Sequence, residues 1–137
     1  MEPMGMDYTD AQEVGITFQG KILLIDDNAE DLEAYFLCLA QKGYDVRPLV
    51  SYSHGLSWLD SERFDMIIVS QGSPKFEGRD VLERAIQIDR SMPVVILAPS
   101  VDTRCYIDAM CLGALDYVEK PLSMTQLLRL VKYHLRP

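Results

Sequence analysis

Four short stretches of this chain carry side chains that could do chemistry together: Asp26 and Asp27 after an apolar run, Ser70 after a second, Ala98-Pro99 after a third, and Lys120-Pro121 after a fourth. A carboxylate pair suits a hard divalent cation, and a lysine suits a phosphate or a carboxylate. A serine hydroxyl is a nucleophile only beside a base. No histidine is placed to serve Ser70, because His54 and His134 fall in segments of helical period away from the ends of the apolar runs. Both are expected at the surface. Gly72, Ser73, Pro74 and Gly78 lack the spacing of a phosphate-cradling loop and read as turn residues.

The runs that position these residues are Ile22–Ile25, Met66–Val69, Val94–Leu97 and Ala114–Val118, with Tyr44–Leu49 a weaker fifth. They lack strict alternation and are rich in Ile, Val and Leu, as strands buried on both faces are. Between them lie helical segments. Leu32, Tyr35, Phe36 and Leu39 recur at three- and four-residue steps and stop at Gly43. Further helices are predicted near 53–61, 79–89, 102–112 and 124–135, the last opened by a Ser123/Gln126 capping box. Strands that alternate with helices pair in parallel through right-handed crossovers. The fold class is therefore α/β, a doubly wound five-stranded parallel sheet with helices on both faces. Ligands of such sheets bind outside the carboxyl ends of the strands, so Asp26, Asp27, Ser70, Ala98 and Lys120 are expected to converge on one pocket.

A length of 137 residues suits one domain. It is placed at 20–137, after an acidic tail or linker at 1–19 from which Tyr8 and Phe18 are candidates to pack back. A net charge of −8 argues against nucleic acid as a direct partner, because phosphate backbones are held by clustered Lys and Arg. Cys38, Cys105 and Cys111 have no metal-binding or CxxC spacing and are expected as buried or half-buried thiols of a reducing compartment. Trp58 and the methionines are expected in the core. No signal-peptide pattern and no bilayer-length apolar run is present, so a cytoplasmic location away from membranes is expected.

An acidic pair, a strand-end position and a Lys-Pro, in that order and register over roughly residues 20–136, resemble the receiver domain of two-component response regulators. The resemblance implies a flavodoxin-like βα fold and a place in phosphorelay signalling. It matches Asp26 and Asp27 to the acidic pair that binds a divalent cation, with the Gly72 carbonyl as a further ligand, and Lys120 to the lysine that pairs with the phosphoryl group. Tyr117 matches the aromatic that reorients on activation. Two positions depart from the pattern. Ser70 stands where the family has its phosphoacceptor aspartate, and Ala98 where it has the Thr or Ser that takes a phosphoryl oxygen.

A serine here is un-ionised and short, so an atypical pseudo-receiver is expected, with no enzymatic activity and no required cofactor. Asp26, Asp27 and Lys120 sum to about −1, against about −2 with an acceptor aspartate, so any magnesium at Asp26 and Asp27 should be weakly held. Lys120 is free to pair with Asp26 or Asp27 instead. Pro99 stiffens the loop that would otherwise move. What remains is protein–protein interaction, with a sensor kinase, an output domain or a second copy, through the surface of the fourth helix, fifth strand and fifth helix. Arg129, Leu130, Lys132 and Tyr133 are the candidate contacts, Leu127, Leu128, Val131 and Leu135 forming the buried stripe of the same helix. Three other readings stand beside this one. Asp26–Asp31 is also a plausible acidic helix start. The domain could be phosphorylated on a displaced carboxylate, with Asp65 and Glu77 nearest, or bind a small ligand as flavodoxins do.

Overall fold

The computed structural model describes residues 18–135. Strands β1 (Lys21–Ile25), β2 (Asp45–Leu49), β3 (Met66–Ser70), β4 (Val94–Ala98) and β5 (Asp116–Glu119) alternate with helices α1 (Ala29–Gln41), α2 (Tyr52–Ser61), α3 (Arg79–Ile88), α4 (Thr103–Leu112) and α5 (Met124–His134). All neighbours pair in parallel, in the order β2-β1-β3-β4-β5. This is the doubly wound sheet expected. The order reverses at β1, which puts the crevice for a ligand beyond the ends of β1 and β3.

Alternate residues of the central strands feed two cores, as the period of a strand demands. Leu23, Ile25, Ile67, Val69 and Ile96 pack with Leu59 of α2, Val81 and Leu82 of α3, and Ala109 of α4. Ile22, Leu24, Ile68, Val95 and Leu97 pack with Leu32 and Leu39 of α1 and Leu127 and Val131 of α5. The capping box of Ser123 and Gln126 forms in full. Gly43 ends α1 at φ +92°, a conformation that disfavours side chains. No helix among the described residues is long and apolar enough to cross a membrane.

Most element boundaries agree with the sequence within a residue, but β5 begins at Asp116 rather than Ala114. Tyr8 lies outside the described residues. Phe18 is half-buried, and the Gln19 amide donates to the Gly43 carbonyl at 2.9 Å. Several burial expectations are corrected. Cys38 and Cys105 are buried but Cys111 is exposed, because it faces outward from α4. Met66 and Met92 are core, whereas Met110 and Met124 are 38% and 61% exposed on helix surfaces. Trp58 is only half-buried, packed against the α2–α3 core with the Arg47 guanidinium 5.9 Å above its ring. His134 is not a free surface residue, for its ring lies 3.4 Å from Asp116 with most of the side chain covered.

Candidate functional site

Asp26 directly follows β1 and is fully buried. Its Oδ1 accepts a hydrogen bond from the Asn28 amide at 3.0 Å, and its Oδ2 lies 2.8 Å from Lys120 Nζ. Burial pushes the Asp26 carboxyl up from the ordinary value, and the lysine and the Asn28 amide oppose that rise. Lys120 reaches this position from the end of β5, with its backbone amide donating to the Ala98 carbonyl at 2.7 Å. Its ammonium also donates to Asp31 Oδ2 at 3.0 Å. Burial alone would depress the Lys120 pKa, but the two carboxylates outweigh it and the net shift is upward.

Lys120 therefore bridges Asp26 and Asp31: of the two partners expected for it, it takes Asp26 and not Asp27, with Asp31 as the second carboxylate. Asp31 stands in the first turn of α1, whereas Asp27 precedes the Asn28 cap and lies outside the helix. The helix-start reading also holds locally, since Asn28 caps α1 by accepting from the Asp31 amide and Asp31 stands in the first turn.

Above the buried pair lies an open cleft of about 530 Å³ lined by Asp27, Asn28, Asp31, Ser70, Pro99 and Lys120, together with Gly72, Ser73 and Pro121. Ser70 is 1% exposed at the end of β3, and its hydroxyl accepts from the Gly72 amide at 3.3 Å. Asp27 lines the same cleft and makes no ion pair among the described residues. Ala98, in contrast, is buried at the end of β4 and does not line it. Of the five residues expected to converge, Asp27, Ser70 and Lys120 line the cleft, Asp26 lies against Lys120 beneath it, and Ala98 stands aside.

The two carboxylates considered as displaced acceptors are accounted for elsewhere. Asp65 lies at the opposite end of β3, where its Oδ2 accepts from the Lys21 amide at 2.8 Å. Glu77 is exposed and folds back on its own loop, accepting from the Ser73 amide at 2.7 Å and the Ser73 hydroxyl at 2.8 and 2.9 Å. Those bonds hold its carboxyl below the ordinary value.

Tyr52 was not foreseen. It follows the Ser51 cap of α2, and its hydroxyl is buried without a well-formed hydrogen bond among the described residues. Burial pushes its pKa strongly upward, with Asp27 nearby adding to the effect and Ser70 opposing it. The loop fits closely over this hydroxyl: Gly72 has φ +83°, and a Cβ there would stand 3.0 Å from the Tyr52 oxygen and 2.5 Å from Glu77 Oε1. Gln71, also unforeseen, is 1% exposed and accepts a hydrogen bond from the Tyr117 hydroxyl. Tyr117 thus points to Gln71 and to the Asp102 amide, which donates to its oxygen at 3.1 Å.

The family described as response regulator receiver domain matches residues 22–132. The chain belongs to the response regulator receiver family. This receiver is 36% identical over 111 residues to the alginate biosynthesis transcriptional regulatory protein AlgB of Pseudomonas aeruginosa, covering 80% of the chain and 24% of AlgB. It is 30% identical over 115 residues to the phosphoglycerate transport system transcriptional regulatory protein PgtA of Salmonella typhimurium, covering 84% of the chain and 28% of PgtA. The receiver thus spans about a quarter of each of these relatives. A CheY-like receiver domain protein from Methanospirillum hungatei has the same fold, with a TM-score of 0.79 at 24% identity over 85% of this chain and 93% of that one. A receiver domain from Clostridium thermocellum aligns with a TM-score of 0.74 at 30% identity, covering 83% and 92%.

The expected contact surface on α5 is corrected in part. Tyr133 is 82% exposed, and Arg129 and Lys132 are exposed beside it. Leu130 is half-buried against the α1–α5 core, because a residue three after Leu127 flanks the buried stripe. On α4, Tyr106, Ile107 and Met110 are exposed, Ile107 most of the three at 54%.

Proposed function

We propose that this receiver acts in signalling by protein–protein contact without being phosphorylated, as a pseudo-receiver. One observation carries the reading: the side chain at the end of β3 is a buried serine, while the buried carboxylate Asp26 is already committed to Lys120 at 2.8 Å. In-line phosphoryl transfer needs a nucleophile and spare positive charge for the equatorial oxygens. Here the Ser70 hydroxyl accepts from the Gly72 amide, and the ammonium is held by two carboxylates. The donor set also fits a divalent cation poorly, because Asp26 and Asp31 both engage Lys120 and, among the described residues, Asp27 is the one of the three without an ion pair. The internal ammonium does in this site what a cation would otherwise do.

The contact surface is assigned to α4, β5 and α5, where Tyr106, Ile107 and Met110 stand exposed on one helix and Arg129, Lys132 and Tyr133 on another. Aromatic and arginine side chains are the usual anchors of interfaces. The partner is a signalling protein, a sensor kinase or an output domain, or a second copy of the chain.

Incubation with acetyl phosphate and magnesium, followed by intact-mass measurement, tests the reading. The mass should stay unchanged, and a stoichiometric gain of one phosphoryl group would overturn it. Ser70→Asp should gain thermal stabilisation by magnesium that the parent lacks, since it adds a third acidic ligand.

A further inference from the structure

Gln71 is a polar side chain with almost no access to solvent, and it is placed where the β3–α3 loop, the start of α4 and β5 meet. Its backbone continues β3, donating to the Leu97 carbonyl at 2.7 Å and accepting from the Gly78 amide at 3.2 Å. Its side-chain amide donates to the Ser73 carbonyl at 3.2 Å within the β3–α3 loop. Its amide oxygen accepts from the Tyr117 hydroxyl on β5. That hydroxyl in turn accepts from the Asp102 amide, which opens α4, at 3.1 Å. The Tyr117 ring meets Tyr106 of α4 edge to face, with centroids 5.5 Å apart.

We propose that Gln71 is the positioning residue that holds Tyr117 against α4, and so fixes the β5–α4 face in one arrangement without a covalent signal. The inference rests on the reading that this receiver works by contact rather than by phosphorylation. A buried amide suits the role. If Tyr117 swung away, the Gln71 oxygen would lose its partner in a place water does not reach, and an unsatisfied buried acceptor costs more than the bond is worth in the open. Asp102 would lose its acceptor at the same time, because both bonds end on one oxygen. The arrangement carries no charge and needs no ligand, so nothing in it waits on phosphate or a cation. With Tyr117 held, Tyr106 is held through the ring contact, and Ile107 and Met110 follow on the same helix.

Fluorine NMR on the full chain carrying 3-fluorotyrosine, together with amide hydrogen exchange, tests this. The Tyr117 signal is identified among the seven tyrosines by its loss in Tyr117→Phe. In the parent it should be a single line, unmoved by acetyl phosphate and magnesium, with a protected Asp102 amide. Gln71→Met keeps the volume and removes both polar groups. It should split or broaden the Tyr117 line and speed Asp102 exchange about tenfold, as loss of one buried hydrogen bond does, while Ile68 in the core is unchanged. Gln71→Glu restores an acceptor oxygen and should return Asp102 exchange toward the parent rate. An unchanged line and rate in Gln71→Met would overturn the proposal, as would a Gln71→Glu variant indistinguishable from it. Should Gln71→Met fail to fold, Tyr117→Phe still decides, because it keeps the ring and removes the hydroxyl; an Asp102 amide as protected as in the parent would refute the tie. A phosphoryl group found on the parent by mass would instead refute the functional reading, and the two failures are read from different instruments.

Discussion

Replacing Lys120 by methionine keeps most of the stem's bulk and removes the charge. Lys120 is 9% exposed and Asp26 is fully buried, so the lost pair is an interior one. Breaking a buried pair from one side costs about 3–5 kcal/mol, because the remaining charge has neither water nor partner. At the lower figure a domain of this size should melt about 10–15 °C lower at neutral pH. Part of the loss is recoverable by acid. Asp26 already has its carboxyl raised by burial, and without the ammonium that rise is unopposed except by the Asn28 amide. A carboxyl whose folded pKa lies above its unfolded value binds more protons when folded, so stability falls as pH rises between the two. The variant should therefore gain on the parent as pH drops from 7 through the raised Asp26 value, by up to about 1.4 kcal/mol per pH unit, and level off near the unfolded value of about 4. Urea unfolding of both proteins from pH 4 to 7.5 measures this. Parallel stability curves, or a variant as stable as the parent at pH 7, would refute the account of Lys120 as the internal counter-ion.

Tyr52→Phe removes a buried hydroxyl that lacks a well-formed hydrogen bond, and should change unfolding free energy by less than about 1 kcal/mol, in contrast to the larger loss usual for a bonded tyrosine; urea titration checks it. Gly78→Ala should cost at least about 1–3 kcal/mol, because the new methyl would stand 2.3 Å from the Ser70 carbonyl oxygen and the backbone of β3 cannot yield; thermal melting reads the loss. Tyr133→Ala, at a side chain 82% exposed, should leave stability within about 0.5 kcal/mol of the parent. Any defect it causes in partner recognition, measured by co-purification, then reflects the surface and not the fold.

The sheet was legible because its strands are buried on both faces: Ile22–Ile25, Met66–Val69 and Val94–Leu97 carry no alternation that a surface strand would need. Alternation with helical segments then left parallel pairing as the consistent topology, and the strand ends gave the neighbourhood of Asp26, Asp27, Ser70 and Lys120. The β5 start was misplaced because Ala114 and Leu115 are apolar, yet they only lead into the strand and Leu115 is half exposed. Sequence could bring Lys120 near an acidic cluster but not choose among its members. Asp31 was selected over Asp27 by the turn of α1 and by the position from which β5 delivers the ammonium, both properties of the packed helix and sheet.

Gln71 and Tyr52 had no signal at all. Each is an ordinary polar residue next to an element end, and its burial follows from loops that close over it: the β3–α3 loop brings Gln71 to Tyr117, 46 positions away in the chain, and sets Gly72 above the Tyr52 hydroxyl. Leu130 and Tyr133 show the same division on a single helix. Spacing separated both from the stripe of Leu127 and Val131, but only the lean of α5 against α1 half-covered one and left the other in solvent. Local periodicity is written in the order of residues, since it depends on the geometry of one element. Which donor meets which acceptor depends on where separate elements come to rest, and that is decided when the two cores close on the sheet.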